Sequence, residues 1–294
     1  MSLVIVVGGL EPTQDGIGDH SRRLASALIK RGVPTSILAL SDSRVTDGPL
    51  RAQQSDDGVD IETLRMPGNI PFPERVVLGR RFIDEIGARH ALFGFAPYQF
   101  DMRGVVSRAL VELPEMVRGL TSSILFHETW IGEEETSGLW TRLVGFTQRR
   151  LIQMLVHDLK PVASYSTNPL YRRMLDAYDI RTDMVPHCGN VPVQETNADS
   201  WLPQALAEAG VKVGPNGLKD FYLVGMFGSL YEQLELPRLL PIFDTVARRK
   251  GRKPLIVNIG IIGGRPEWKQ WQRVYGPDYG LVDLGPTTTL RISQ

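Results

Sequence analysis

The 294 residues carry 33 basic and 33 acidic side chains and no net charge, so the basic excess of a nucleic-acid footprint is absent. A hydrophobic share of 42% is enough for real cores, at a length that suggests two domains. The single cysteine, Cys188, allows no internal disulfide, and no run of about 18 apolar residues is present to span a membrane.

Taken together, these features fit a reducing, cytoplasmic setting and leave room for peripheral membrane contact. The N-terminus is apolar at once, without a basic lead, and reads as a strand rather than a signal peptide.

Leu3–Val7 is a short run rich in β-branched residues and reads as a buried parallel strand. Gly8 and Gly9 end it. A polar loop, Glu11–Asp19, closes on Asp15, Gly16, Ile17, Gly18 and Asp19. The helix that follows has Ile17, Leu24, Ala25, Leu28 and Ile29 on one face and stops at Gly32. Its start gathers backbone N–H groups and the positive end of the helix dipole, a favourable place for an anion such as phosphate. Glycine there keeps a Cβ out of the ligand's way. The plainer reading of these glycines is a tight turn that packs the helix on the sheet. A dinucleotide fingerprint would need glycine where Ser21 stands, and a shorter loop. Asp42, after the second strand, mimics a ribose-binding acid and keeps a dehydrogenase as an alternative.

Thr35–Leu40 is that second strand. Ser41–Asp57 reads as a polar loop, Val59–Leu64 as a strand near a sheet edge, Pro67–Pro73 as a loop and Arg75–Gly87 as a helix. Ala91–Phe95 is a buried strand, followed by an aromatic-rich loop, Ala96–Gly104. Val105–Leu120 is helical with Pro114 inside it, and Ser122–Phe126 is a strand ending at His127 and Glu128. Leu139–Leu159 is the longest helical pattern, with Leu143, Phe146, Leu151, Met154 and Leu155 expected inside. Pro161–Tyr165 is a strand, Ser166–Pro169 opens a helix with a cap and an early proline, and Asp183–Pro186 is a short strand. Strands alternating with helices imply a doubly wound parallel sheet.

Periodicity lapses over His187–Ala198, which places a linker there and divides the chain into residues 1–190 and 191–294. A second set follows: helix Trp201–Ala209, strand Phe221–Phe227, helix Leu236–Lys250, strand Pro254–Ile259, glycine loop Ile261–Arg265, helix Glu267–Tyr275, strand Leu281–Leu284, and a helix opening at Thr287. About three strands are too few for a sheet of ordinary size, so the sequence is expected to stop inside a domain.

Assembled in this order, the residues resemble a family-4-type glycosyltransferase of the two-Rossmann (GT-B) architecture. Asp15–His20 followed by Ser21–Leu28 looks like the family's Gly-Gly-Ile-Gly element, and Phe95–Gly104 and Phe126–Gly132 look like loops facing its interdomain cleft. Val185–Asn190 resembles its crossover segment, Val224–Ser229 the first strand and loop of its donor domain, and Val282–Pro286 with Leu290–Ser293 the elements before its nucleotide pocket.

The resemblance implies an α/β fold of two Rossmann-like doubly wound domains, the second incomplete, with the N-terminal domain on the acceptor side. It implies transfer of a sugar from a nucleotide sugar to a saccharide or other hydroxyl acceptor, with retention, without metal, and with no cofactor beyond the nucleotide-sugar co-substrate. Gly16, Ile17, Gly18 and Asp19 would meet the donor diphosphate. Two departures stand out. The family's Arg and Lys after the first donor-domain strand are missing from Gly228–Glu232, and its glutamate pair lies beyond Gln294.

Sugar transfer builds positive charge at the anomeric carbon and negative charge on the leaving phosphate, and the site must serve both. His127 is the candidate catalytic residue, binding a sugar or supporting proton transfer. Glu128 would orient it or bind hydroxyls. Tyr98, with Phe100 and Trp130, would stack on a sugar face, Arg103 would bind phosphate or sugar, and His187, Asn190, Gly228 and Ser229 would contact the donor.

The ordinary readings beside these are a hydrogen-bonded loop histidine, a solvated acid, a surface ion pair, core aromatics and turns. Gly263 and Gly264 read first as a turn, and second as another phosphate-side loop. His20, His90, His127, His157 and His187 are scattered along the chain without partner cysteines, so no metal spacing is present. A non-catalytic relative that binds a glycan or a partner protein is the alternative, motivated by the missing Arg and Lys. The sequence sets no oligomeric state.

Overall fold

The computed structural model describes residues 2–10, 12, 16–100, 104, 107–187, 201–227, 234–260, 262 and 266–285. Two compact units, Met1–Asn190 and Val191–Gln294, divide the chain.

In the first unit the aliphatic run Leu3–Val7 forms β1, buried at every position because both of its faces are covered. β2 (Thr35–Ala39) and β5 (His90–Phe95) flank it in parallel. Beyond β2 lie β4 (Val59–Arg65) and then β3 (Leu50–Asp56); beyond β5 lie β6 (Thr121–Phe126), β7 (Ala163–Ser166) and β8 (Asp183–Met184). The order β3-β4-β2-β1-β5-β6-β7-β8 is parallel except for β3. The chain winds outward from β1 to one edge, then returns to β5 and winds to the other. Strand order therefore reverses between β1 and β5, and in open sheets of this kind ligands bind beyond the C-terminal ends of the strands at such a point.

Helices cover both faces. α1 (Gly16–Lys30) lays Ile17, Leu24, Ala25, Leu28 and Ile29 on Leu3, Ile5, Val7, Ile37 and Ala39, the face read from the sequence, and Gly32 ends it at φ +80°. On the other face Val4, Val6, Phe93, Phe95, Ile124 and Phe126 meet three helices. These are α2 (Phe72–Glu85), α4 (Ser107–Met116) and α5 (Leu139–Leu159). α3 (Pro97–Phe100) is a short helix within the expected aromatic loop. α6 (Pro169–Asp176) starts as anticipated, with Asn168 Oδ1 accepting from Tyr171 N at 2.9 Å and Pro169 in the first turn.

Two expectations need correction. Ser41–Asp57 is not all loop: β3 pairs antiparallel with β4 through a turn at Asp57 (φ +50°) and Gly58 (φ +73°). Both turn residues take positive φ, the geometry that suits a two-residue hairpin. On α5, Leu155 is buried, but Leu143, Phe146 and Met154 are about half exposed. The buried face is instead Gly145, Gln148, Ile152, Leu155 and Leu159. The smallest residue decides this, since Gly145 lets α5 approach the carbonyl of Ile131 and Gln148 Oε1 accepts from Ile131 N at 3.1 Å.

In the second unit β9 (Phe221–Phe227), β10 (Lys253–Ile259) and β11 (Leu281–Asp283) form a parallel sheet in the order β11-β10-β9. α8 (Leu236–Arg249) and α9 (Pro266–Tyr279) cover one face with Leu236, Leu240, Trp268 and Trp271. α7 (Leu202–Glu208) covers the other with Leu202 and Leu206. The glycine loop at 263–265, the helix expected from Thr287 and the linker from 188 onward lie outside the described residues.

Candidate functional site

The site begins where β1 ends. Gly8 has no side chain because α3 passes over it: a Cβ there would lie 2.1 Å from the backbone oxygen of Gln99. Leu10 is clamped from both sides, its N–H donating to Asp42 Oδ2 at 2.9 Å and its carbonyl accepting from Arg22 Nη1 at 2.7 Å. α1 then starts at Gly16, with its positive dipole end beside the switch point. The Asp19 carboxylate is paired with Arg22 one turn on, which offsets its repulsion of an anion at this helix start. The first turn places Gly16 at the surface, Ile17 and Asp19 half-buried and Gly18 buried.

Asp42 is only 1% exposed, and it accepts from Arg65 Nε at 2.8 Å and from Arg44 N at 3.0 Å. Burial pushes its carboxyl up, but the bonds from Arg65 and from the N–H groups of Arg44 and Leu10 outweigh this and hold it below the usual range. An acid so fully committed is a structural clamp, and it gives no support to a ribose-binding role.

Three histidines that stand far apart in the sequence meet here. His20 sits early in α1, His127 directly after β6 and His187 shortly after β8. Their ring centroids are 4.9 Å (His20–His127), 5.4 Å (His20–His187) and 5.1 Å (His127–His187) apart. His20 and His127 are each 4% exposed, while His187 lies at the surface. The backbone N–H of His127 donates to Phe95 O at 2.9 Å, which fixes the residue over the end of β5. Gly94 leaves room for its ring, since a Cβ there would lie 3.1 Å from Val7 Cγ1, 3.5 Å from Ile17 Cγ2 and 3.7 Å from His127 Nε2.

Among the described residues, Nδ1 of His20 and both ring nitrogens of His127 have no hydrogen-bond partner. Burial, reinforced by His187, lowers His20 to about 4. Burial, reinforced by His20 and His187, lowers His127 to about 3. Both rings are neutral at pH 7.

The structure sorts the other expected residues. Tyr98, on α3, is 42% exposed and packs beside Gly104. Glu128 is exposed and acts on Tyr171 rather than on His127, so it does not orient the histidine. Phe100 stacks on Phe95 in the core, and Trp130 is buried with Nε1 donating to Glu133 Oε1 at 2.6 Å, so neither is a sugar platform. His90, at the opposite end of its strand, lies 3.1 Å from Ser123 Oγ, and His157 is exposed beside Asp158. Arg103, Asn190, Gly228 and Ser229 lie outside the described residues. Among the described residues, no set of three His, Cys, Asp or Glu is placed to hold a metal ion. No described helix is long and apolar enough to cross a membrane.

His20 was missed as a site residue. The signal available was its place one turn into the helix that follows β1, in the same parallel sheet whose other strands end at His127 and near His187.

No protein-family model and no curated protein matches the sequence. Solved structures do match. The catalytic domain of starch synthase IV from Arabidopsis thaliana, bound to ADP and acarbose, is 12% identical with a TM-score of 0.59. The match covers 99% of this chain and 75% of that one. An α,α-trehalose-phosphate synthase (UDP-forming) from Burkholderia xenovorans, in complex with glucose-6-phosphate, is 11% identical with a TM-score of 0.52, over 99% and 76% of the two chains. A glycosyltransferase from Rickettsia africae is 10% identical with a TM-score of 0.52, over 99% and 69%. At such identities the likeness is one of fold, and the fold is the α/β, Rossmann-like GT-B type.

Proposed function

We propose that this protein transfers a sugar from a nucleotide-sugar donor to an acceptor hydroxyl. The observation that carries the reading is a meeting at the switch point of the first unit's sheet. There the positive end of α1 lies beside a buried histidine whose ring nitrogens are unpartnered among the described residues. The fold, shared with a starch synthase bound to ADP and a UDP-forming trehalose-phosphate synthase, supports sugar-nucleotide chemistry. The clamped Asp42 speaks against a dehydrogenase.

In this reading the first turn of α1, Gly16 to Asp19, faces the donor diphosphate. His127, neutral in the ligand-free site, offers its ring to the donor. A ring lowered to about 3 is too weak a base to take the acceptor proton, so that proton leaves with the diphosphate as the anomeric C–O bond breaks and the new glycosidic bond forms. Tyr98, Glu128 and His187, each exposed, are proposed to meet sugar or acceptor, and the family resemblance assigns donor or sugar contacts to Arg103, Asn190, Gly228 and Ser229. Retention of configuration and independence from metal are part of the proposal through the family resemblance, and a reducing, cytoplasmic setting through the single cysteine.

The test is to incubate the full chain with a panel of UDP-, GDP- and ADP-sugars and saccharide acceptors, following nucleotide release and the anomeric configuration of the product. Release from at least one donor with retention is expected. Saccharide binding without release from any donor would favour the non-catalytic relative, which the missing Arg and Lys in Gly228–Glu232 already motivate.

A further inference from the structure

Two imidazoles that are each 4% exposed, with His20 Nδ1 and both nitrogens of His127 unpartnered among the described residues, are a costly arrangement in an empty site. Carboxylates usually accompany buried histidines, yet those nearby are engaged elsewhere. Asp19 on α1 is turned to Arg22, Glu128 after β6 acts on Tyr171 of α6, and Asp42 after β2 is held by Arg65. Among the described residues, the charges that His127 registers are those of His20 and His187. A proton placed on this cluster would thus repel its neighbours, and among the described residues no carboxylate is turned to offset it. The positive end of α1 adds to the same excess. The missing complement is a negative charge from outside, and the exposed ring of His187 marks where it enters.

We propose that His20, His127 and His187 form a proton-coupled anion site: a phosphate-bearing ligand docks at the cluster, and one proton from solvent is taken up by the rings as it binds. This deepens the donor-diphosphate reading and rests on it. The three rings stand together, with centroids 4.9–5.4 Å apart, and His20 Nδ1 and both ring nitrogens of His127 have no partner among the described residues. The proton is shared by a coupled set, so it belongs to the cluster rather than to one residue. Each bound imidazolium donates a charge-assisted hydrogen bond to the anion, and the anion in turn offsets the burial that keeps the empty site neutral.

The experiment is ring nitrogen NMR of the full chain, which reports the protonation of each imidazole, titrated from pH 5 to 8 with and without inorganic pyrophosphate. Without ligand, the rings of His20 and His127 are expected to stay neutral throughout. With pyrophosphate, the midpoint of at least one should rise by about two pH units, roughly a 100-fold gain in proton affinity. His20→Gln and His127→Gln assign the signals. Should either variant fail to fold, calorimetry of the unaltered chain at a pH near 5 with sulfate, a dianion that does not titrate here, in two buffers of unlike ionisation enthalpy reads the same uptake, with about 0.8 proton expected per anion. Pyrophosphate binding with all rings unshifted, or no pyrophosphate binding at all, overturns the proposal. Failure of the transferase reading looks different: pyrophosphate would bind with proton uptake, while no nucleotide sugar would bind or turn over.

Discussion

His20 and His127 give the folded chain a pH dependence whose sign is fixed by burial. Their folded values, about 4 and about 3, lie below the ordinary 6.5, so the unfolded chain binds more protons in between. Stability is retained above pH 6.5 and falls as pH drops toward 4, by about 1.4 kcal/mol per pH unit for each ring. Denaturant unfolding of the ligand-free chain at pH 7, 6 and 5 should show this slope, and His127→Gln should flatten it. Asp42→Asn makes a separate prediction. It removes the charge from the buried acid to which Arg65 Nε and the N–H groups of Leu10 and Arg44 all donate, and should cost about 3 kcal/mol, read as an earlier denaturant midpoint. Of these residues the sequence marked His127 by its place at a strand end, His187 in the linker and Asp42 after the second strand. It could not mark the cluster, because positions 20, 127 and 187 are joined only by a strand order that no local pattern encodes.

At the scale of the element, α5 shows what periodicity leaves open. Its sequence carries two apolar stripes, and counting side chains favours the one with Leu143 and Phe146. Packing chose the other, because Gly145 admits the backbone of Ile131: a Cβ there would lie 1.8 Å from its carbonyl oxygen. Helix propensity alone says that Gly145→Ala stabilises an exposed helix. Here the overlap should win, and the variant should lose about 3 kcal/mol, with a melting temperature lower by roughly 10 °C. Ile152→Ala should cost about 3 kcal/mol through its cavity, whereas Leu143→Ala, at a position 55% exposed, should change little. β3 was missed for a related reason. Its alternation is weak and its residues polar, and only the Asp57–Gly58 pair signalled a hairpin. The strands β1, β2, β5 and β6 were legible because burial on both faces leaves long runs of aliphatic and aromatic residues.

For the whole molecule, the alternation of strands and helices was enough to anticipate a doubly wound parallel sheet. Strand order then fixes where chemistry can occur, because loops from β1, β5 and β6 converge where winding reverses. The strand-to-helix passage from β1 to α1 was readable in advance from local pattern, although the helix takes in Gly16–Asp19, which the sequence assigned to the end of a loop.

The most direct test of the central claim is calorimetric titration of UDP, GDP, ADP and their sugars into the chain and into Gly16→Val, with thermal unfolding of both. A Cβ at Gly16 meets no described atom within 4 Å, so the variant should fold as the parent does. The account predicts that one nucleotide class binds the parent and that the variant loses at least 100-fold in affinity at an unchanged melting temperature, the added side chain standing where the diphosphate sits. Equal affinity of parent and variant would contradict it.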